Sequence, residues 1–273
     1  LSRLSSLFTT LAEQGRKALV PYIVAGDPDP RYTVTLMHEL VAAGADIIEL
    51  GIPFSDPMAE GPVIQLAHER ALAHNTSLNQ ALDMVAEFRR EDSKTPIVLM
   101  GYTNPVERMG YETFARQASD SGVDGLLTVD MPPEEAAEIS ALMKAVGLDN
   151  IFLLAPTSSE QRIAKVSALA TGYLYCVSLK GVTGAGHLDV DSVRAQLALI
   201  KKHSTLPVTV GFGIKDGASA AALAPLCEGV VVGSALVDRF ANWDHEADAA
   251  PQIAQAVALI KEIREAVDGA PTN

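Results

Sequence analysis

Two acids stand where this chain could do proton chemistry. The first is Glu49, in the apolar run Asp46-Ile-Ile-Glu-Leu-Gly51. Side chains alternate across a strand. With Ile48 and Leu50 turned toward covering helices, Ile47 and Glu49 face the enclosed side. A carboxyl group there loses its water, which raises its pKa and makes a proton donor usable near neutral pH. The competing reading is a Glu held by a buried Lys or Arg. No basic residue ends another apolar run, which favours the acid–base reading. The second acid is Glu60, in the segment Gly51-Ile-Pro-Phe-Ser-Asp-Pro-Met-Ala-Glu-Gly-Pro62. Three prolines make this connection stiff and shaped, and long loops beside a reacting centre tend to be functional. Asp56, in the same segment, is expected to face outward.

Glycines form a third feature. Gly211-Phe-Gly213, Gly233-Ser234 and Gly181-Val-Thr-Gly-Ala-Gly186 each follow an apolar run. Glycines opening short helices at such places let backbone N–H groups approach a phosphate. Tight turns alone would also explain any one of them; recurrence after three successive runs favours the phosphate reading.

These residues need elements to hold them. Eight apolar runs read as strands, near 18–24, 46–50, 96–100, 124–129, 150–154, 172–177, 206–210 and 229–232. Ala-rich segments with helical spacing lie between them, near 31–43, 62–73, 78–90, 111–121, 133–146, 159–169, 190–202 and 216–225. Pro132-Pro133 followed by Glu134-Glu135 reads as a helix start, and Gly44, Gly122 and Gly147 as stops. Eight alternating units predict an α/β fold, a (β/α)8 TIM barrel, over an open doubly wound sheet. Residues 1–14 form an extra amphipathic helix able to plug the barrel floor. The long gap between strands two and three implies an added helix, and 247–267 reads as a closing helix. Residues 1–273 are expected to be one barrel domain. Its reacting groups are expected at the C-terminal ends of the strands. Tyr22, Met100, Leu127, Val129, Leu153, Tyr173 and Tyr175 share the inward parity. They outline an apolar cup with a phenol at its rim, suited to a flat aromatic substrate; for Met100 and Leu153 plain barrel filling is an equal reading.

Composition narrows the classes. Apolar residues make up 48% of 273 and aromatics only 5%, so the core must be aliphatic, as buried parallel strands require. A net charge of −13 without a Lys/Arg cluster argues against nucleic-acid binding. Cys176 and Cys227 have no metal-like spacing and read as packing residues in a reducing, cytoplasmic setting. No apolar run is long enough to span a bilayer, and no metal is implied.

The segment Glu49-Leu-Gly-Ile-Pro-Phe-Ser-Asp-Pro-Met-Ala-Glu-Gly-Pro62 closely resembles the signature of tryptophan synthase α subunits. Ala25-Gly-Asp-Pro28, Met100-Gly-Tyr-Thr-Asn-Pro105, Val129-Asp-Met-Pro132, Gly181-Val-Thr-Gly184, Gly211-Phe-Gly-Ile214 and Val232-Gly-Ser-Ala235 match in register, so the resemblance covers nearly the whole chain. It implies retro-aldol cleavage of indole-3-glycerol phosphate to indole and glyceraldehyde 3-phosphate. Glu49 then matches the acid–base, Glu60 the carboxylate at the indole N–H, and Tyr175 the tyrosine beside the side-chain hydroxyls. Gly184, Gly213, Gly233 and Ser234 match phosphate contacts. Tyr22, Met100, Leu127, Leu153 and Phe212 match the indole pocket, and Thr183 the loop that closes over it. The resemblance further implies a β subunit in an α2β2 heterotetramer, with pyridoxal phosphate in that partner and no cofactor in this chain. Pro53, Asp56, Asn104 and Pro105 fall at the implied interface.

Three positions depart from the family pattern. Glu60 replaces the usual Asp, Leu179 stands where Arg is frequent, and Tyr22 stands where Phe is common, adding a hydroxyl that needs a partner. A free-standing indole-releasing lyase and a sugar-phosphate epimerase or isomerase are the rival readings; the second leaves the strand-two signature unexplained.

Overall fold

The computed structural model describes residues 2–178 and 190–271. In chain order it contains α1 (Arg3–Glu13), β1 (Ala18–Val24), α2 (Thr33–Ala42), β2 (Ile48–Gly51), α3 (Pro62–Ala73) and α4 (Leu78–Phe88). Then come β3 (Ile97–Gly101), α5 (Thr103–Met109), α6 (Tyr111–Ser121), β4 (Gly125–Thr128), α7 (Ala137–Ala145), β5 (Asp149–Leu154), α8 (Glu160–Leu169) and β6 (Leu174–Val177). The last elements are α9 (Val190–His203), β7 (Val208–Gly211), α10 (Gly217–Leu223), β8 (Gly229–Val232), α11 (Ser234–Val237) and α12 (Ala249–Asp268). Each strand pairs in parallel with the next, and β1 pairs with β8, so the sheet closes into a barrel with no free edge. This is the expected (β/α)8 fold, and all eight strands fall on the predicted runs.

Strand alternation divides the core in two. Ile48, Leu50, Leu99, Leu126, Leu174, Val210 and Val230 face outward and join the helices in one apolar cluster. Val20, Tyr22, Ile47, Val98, Met100, Leu127, Ile151, Tyr173, Tyr175 and Val231 face inward in a second. The inner cluster includes Leu4, Phe8 and Leu11 of α1, whose Phe8 ring meets Tyr173 at 5.8 Å between centroids. The N-terminal helix therefore closes the barrel from below, as its amphipathic spacing predicts. The extra length between β2 and β3 is the pair α3 and α4.

Two local expectations are corrected. The helix expected over 133–146 begins only at Ala137. Glu135 N–H and Ala136 N–H bond back to the Pro132 and Pro133 carbonyls, so this stretch is a tight turn before the helix. Helix α5 was not anticipated. Its N-cap, Tyr102, offers no side-chain cap; instead Asp130, from the β4 loop, accepts from Thr103 N–H at 2.7 Å and Thr103 Oγ1 at 2.8 Å. A cap supplied from across the fold leaves no local signature.

Asp124, immediately before β4, fixes the lower rim. It accepts from Ile97 N–H at 2.8 Å, from Arg89 Nη2 at 2.8 Å and from Arg3 Nη1 at 2.9 Å, joining α1, α4, β3 and β4. Gly122, beside it, has φ +88°, and a Cβ there would stand 2.8 Å from Arg89 Cγ, so glycine serves both backbone and guanidinium. Asp124→Ala removes the carboxylate from a largely buried Arg89 and is expected to destabilise the fold by about 3 kcal/mol. Urea denaturation checks this; an unchanged midpoint would remove Asp124 from the set of structural anchors.

Candidate active site

A cavity of about 360 Å³ opens at the C-terminal ends of the strands. Both acids singled out in the sequence line it. Glu49 is fully buried on β2, with Tyr22 as its register neighbour on β1. Tyr173 O–H donates to Glu49 Oε1 at 2.7 Å, while Oε2 has no partner. No Lys or Arg among the described residues pairs with it, so the ion-pair reading fails. Burial pushes its pKa up to about 7, against the smaller lowering effect of the Tyr173 hydrogen bond. With Oε1 accepting from Tyr173, the proton of the neutral acid falls on Oε2, the oxygen free to exchange it.

Glu60 sits just before α3, and its side chain is only 6% exposed. Tyr102 O–H donates to Glu60 Oε2 at 2.5 Å, and Ala59 N–H donates to the Tyr102 oxygen at 3.0 Å. Desolvation raises the Glu60 pKa to about 7; the Tyr102 hydrogen bond lowers it and the Asp130 charge raises it. Gln65 Nε2 anchors the Glu60 carbonyl at 2.7 Å, fixing the backbone from which the longer side chain departs.

The pocket wall uses only part of the set that shares the inward parity. Tyr22, Met100, Tyr175 and Phe212 line the cavity. Leu127 and Leu153 do not: Leu127 is fully buried beside its register partner Met100, and Leu153 is half-buried beside Tyr175. Phe212 adopts φ +71°, a left-handed conformation unusual for a bulky residue, and its ring meets Tyr175 edge-on at 6.4 Å. Strained backbone of this kind collects at functional sites. Ser178 Oγ ties the end of β6 to this turn through the Gly211 carbonyl at 2.8 Å.

Gly213, Gly233 and Ser234 also line the cavity, Gly233 as the N-cap of the short α11. Gly213 does not open a helix, because α10 starts four residues later behind its own Asp216 cap. Lys215 and Asp238 line it as well. Thr183, Gly184 and Leu179 lie outside the described residues. Asp56 and Asn104 are exposed and Pro105 half-buried, whereas Pro53 is buried within the chain.

Sequence reasoning did not assign roles to Tyr173, Tyr102 or Lys215. Tyr173 had the right parity, and Lys215 follows the glycine turn where a phosphate reader would be sought. Tyr102 lies past the end of β3, beyond the reach of a strand-parity argument.

The comparisons with known proteins agree along the whole chain. The family model described as "Tryptophan synthase alpha chain" matches residues 8–268. The tryptophan synthase alpha chain of Nitrosococcus oceani is 60% identical over 268 residues, covering 98% of both chains. That of Methylococcus capsulatus is 56% identical, covering 98% of this chain and all of its own. Among solved structures, tryptophan synthase subunit alpha from Legionella pneumophila superposes with a TM-score of 0.90 at 45% identity, covering 98% of this chain and 99% of that one. A chain of M. tuberculosis tryptophan synthase, aminoacrylate-bound, gives 0.86 at 34% identity over 98% of this chain and all of its own. A match of this extent, on a barrel whose two acids line one cavity, makes this chain a member of the tryptophan synthase alpha chain family.

Proposed function

We propose a division of labour for the cleavage of indole-3-glycerol phosphate to indole and glyceraldehyde 3-phosphate, the lyase reaction of this family. Glu49 is the acid–base. Its neutral carboxyl delivers the Oε2 proton to indole C3, which dearomatises the ring and weakens the bond from C3 to the glycerol side chain. The ionised carboxylate then takes the proton of the adjacent side-chain hydroxyl. The C–C bond breaks, its electron pair returns to the ring, and the hydroxyl carbon becomes the aldehyde. Glu49 ends protonated, as it began. Tyr173 holds Oε1 throughout, so the exchange is confined to Oε2.

Glu60 accepts the indole N–H and balances the positive charge that develops when C3 is protonated. Tyr175 stands beside the side-chain hydroxyls. Gly213, Gly233 and Ser234 supply backbone and hydroxyl donors to the phosphate, with Lys215 as the adjacent cation; Gly184 and Thr183 are assigned to the same end of the substrate by their motif. Tyr22, Met100 and Phe212 hold the indole, with Leu127 and Leu153 supporting them from behind. The observation that carries this reading is the pairing, in one cavity, of a fully buried Glu49 lacking a counter-charge and a second acid with a pKa near 7.

Family membership also supports a β subunit as partner. The α2β2 assembly, pyridoxal phosphate in the partner, the interface through Asp56, Asn104 and Pro105, and a cytoplasmic setting belong to the same proposal. So does the organisation of the chain as one domain. No described helix is long and apolar enough to cross a membrane. Indole is apolar and membrane-permeant, so direct transfer to a second site avoids its loss. Mixing this chain with a β subunit should raise indole formation; neither a complex on sizing nor any activation would instead favour a free-standing lyase.

Glu49→Gln preserves size and hydrogen bonding but removes the proton. It should fold normally and lose at least roughly a hundredfold in cleavage. Near wild-type turnover would dismiss Glu49 as the acid–base. Glu60→Ala should abolish most cleavage, while Glu60→Asp, which restores the family residue, should keep a substantial part; a Glu60→Ala enzyme cleaving normally would take Glu60 out of the mechanism.

The pH dependence follows from the two acids. Glu49 must be protonated, so kcat/KM should fall as pH rises through about 7. Glu60 must be ionised, so it should also fall as pH drops through about 7. A narrow bell centred near neutrality is expected. A flat profile between pH 6 and 8 would contradict the pairing.

A further inference from the structure

His68 lies on α3, 1% exposed, where the mechanism above gives it no part. Its ring is fully specified by its neighbours. Phe54 N–H donates to His68 Nδ1 at 3.1 Å, so Nδ1 is the acceptor. In a ring with one proton, that proton is then on Nε2. Burial lowers the imidazole pKa to about 4, so the ring carries no charge at neutral pH and forms no ion pair. Nε2 has no hydrogen-bond partner and stands 3.9 Å from Glu60 Oε2.

A buried N–H donor left without a partner is costly. The separation exceeds a hydrogen bond by about 1 Å, within the reach of the flexible Glu60 side chain. A neutral Glu60 is satisfied at Oε2 by Tyr102 alone. An ionised Glu60 gains from a second donor, since hydrogen bonds to charged oxygens are the stronger kind. No other described side chain donates a hydrogen bond to its carboxylate in this structure. Tyr102 is already engaged, Asp130 is an acid held by Thr103, and Arg70 on the same helix is bound by Asp27 at 2.6 Å. The Tyr22 hydroxyl, on β1, stands between Glu49 and Glu60 in electrostatic reach of both; it has no partner and packs over Gly51.

We propose that His68 is a positioning residue for Glu60: its Nε2–H holds the ionised carboxylate in place for the substrate N–H, while its Nδ1 ties the same ring to the Phe54 backbone. Tyr102 and His68 then share Oε2, and Oε1 is left for the indole. The link joins the strand-two loop to the second acid of the site. The proposal rests on Glu60 acting as that second acid.

The two ring nitrogens can be separated by substitution. In His68→Asn the amide oxygen replaces Nδ1 as acceptor for Phe54 N–H, but nothing reaches Glu60. In His68→Gln the longer amide restores an N–H donor near the position of Nε2. The first readout is a 13C-NMR titration of Glu side chains in the full chain, with the Glu60 signal identified by its loss in Glu60→Gln. His68→Asn should raise the Glu60 titration by roughly one pH unit, the shift expected when a carboxylate loses one such hydrogen bond. His68→Gln should return it close to wild type. The acid limb of kcat/KM should move with it, through kcat more than KM. A Glu60 titration unmoved in His68→Asn, or moved equally in both variants, would overturn the proposal. The titration reads the contact without substrate, whereas Glu60→Ala cleavage reads the role of Glu60, so failure of one is distinguishable from failure of the other. If His68→Asn does not fold, His68→Gln still tests the idea, because a displaced Glu60 titration in that variant overturns it.

Discussion

Burial of the Glu49 carboxyl without a counter-charge is the constraint on which the rest of this site depends. Closure of the barrel creates it, because β1 and β8 pair and leave no route for water along the strands. An Arg or Lys in its place among the inward residues would have fixed the carboxylate as an anion and removed the proton. The wall supplies instead one phenol, Tyr173, whose own ionisation is pushed far up by burial, so it only donates. The fold bears a cost for this. Glu49 is raised above its ordinary value, so the folded chain holds that proton more tightly than the unfolded one. Its contribution to stability is therefore most favourable below about 4.5 and is lost as pH rises through about 7. The inner apolar cluster, extended by α1, must offset that loss.

The second acid is held on different terms. Glu60 lies on a connection rather than a strand, and its geometry comes from tertiary contacts: Tyr102 at Oε2, Gln65 at its carbonyl, and α3 starting at the next proline. A loop residue given strand-like precision needs such supports. This explains how an acid one methylene longer than the family's usual Asp fits. Its extra torsion is taken up by Tyr102, which is itself located by Ala59 N–H. The acid and its donor are thus positioned by the same short stretch of chain.

Much of this was legible in the sequence, and the failures have a common cause. The eight strands were readable because a parallel strand buried on both faces must be a short continuous apolar run. The inward orientation of Glu49 followed from parity alone, and Ile47 and Ile48 lie in opposite clusters as required. Features set by distant partners were not readable. Helix α5 is capped by Asp130 from another loop, Asp124 gathers groups from four elements, and His68 meets Phe54 across a turn. The glycine turns pointed to residues that line the cavity, but not that Gly213 would precede a turn and Gly233 a helix. Parity placed Leu127 and Leu153 with the inner cluster, but parity alone does not say how near the cavity an inward side chain lies.

Charge ties the two halves of the cavity together. The chain carries a net charge of −13, yet its substrate bears a phosphate. Two ionised carboxylates in the same enclosed space would repel that anion strongly, because the interior screens poorly. Raising both acids to about 7 relieves this. In the proposed reaction Glu49 enters uncharged, and the charge it later carries is matched by the positive charge on the protonated indole. On the proposed phosphate side the chain places Lys215, Ser234 and backbone N–H groups of glycine turns as donors, with Asp238 as the one acid lining them. The same desolvation that suits Glu49 to the proposed proton transfer therefore keeps the acid end of the cavity from opposing a bound anion. Neither property could be kept if the acid were moved to the solvent-exposed rim.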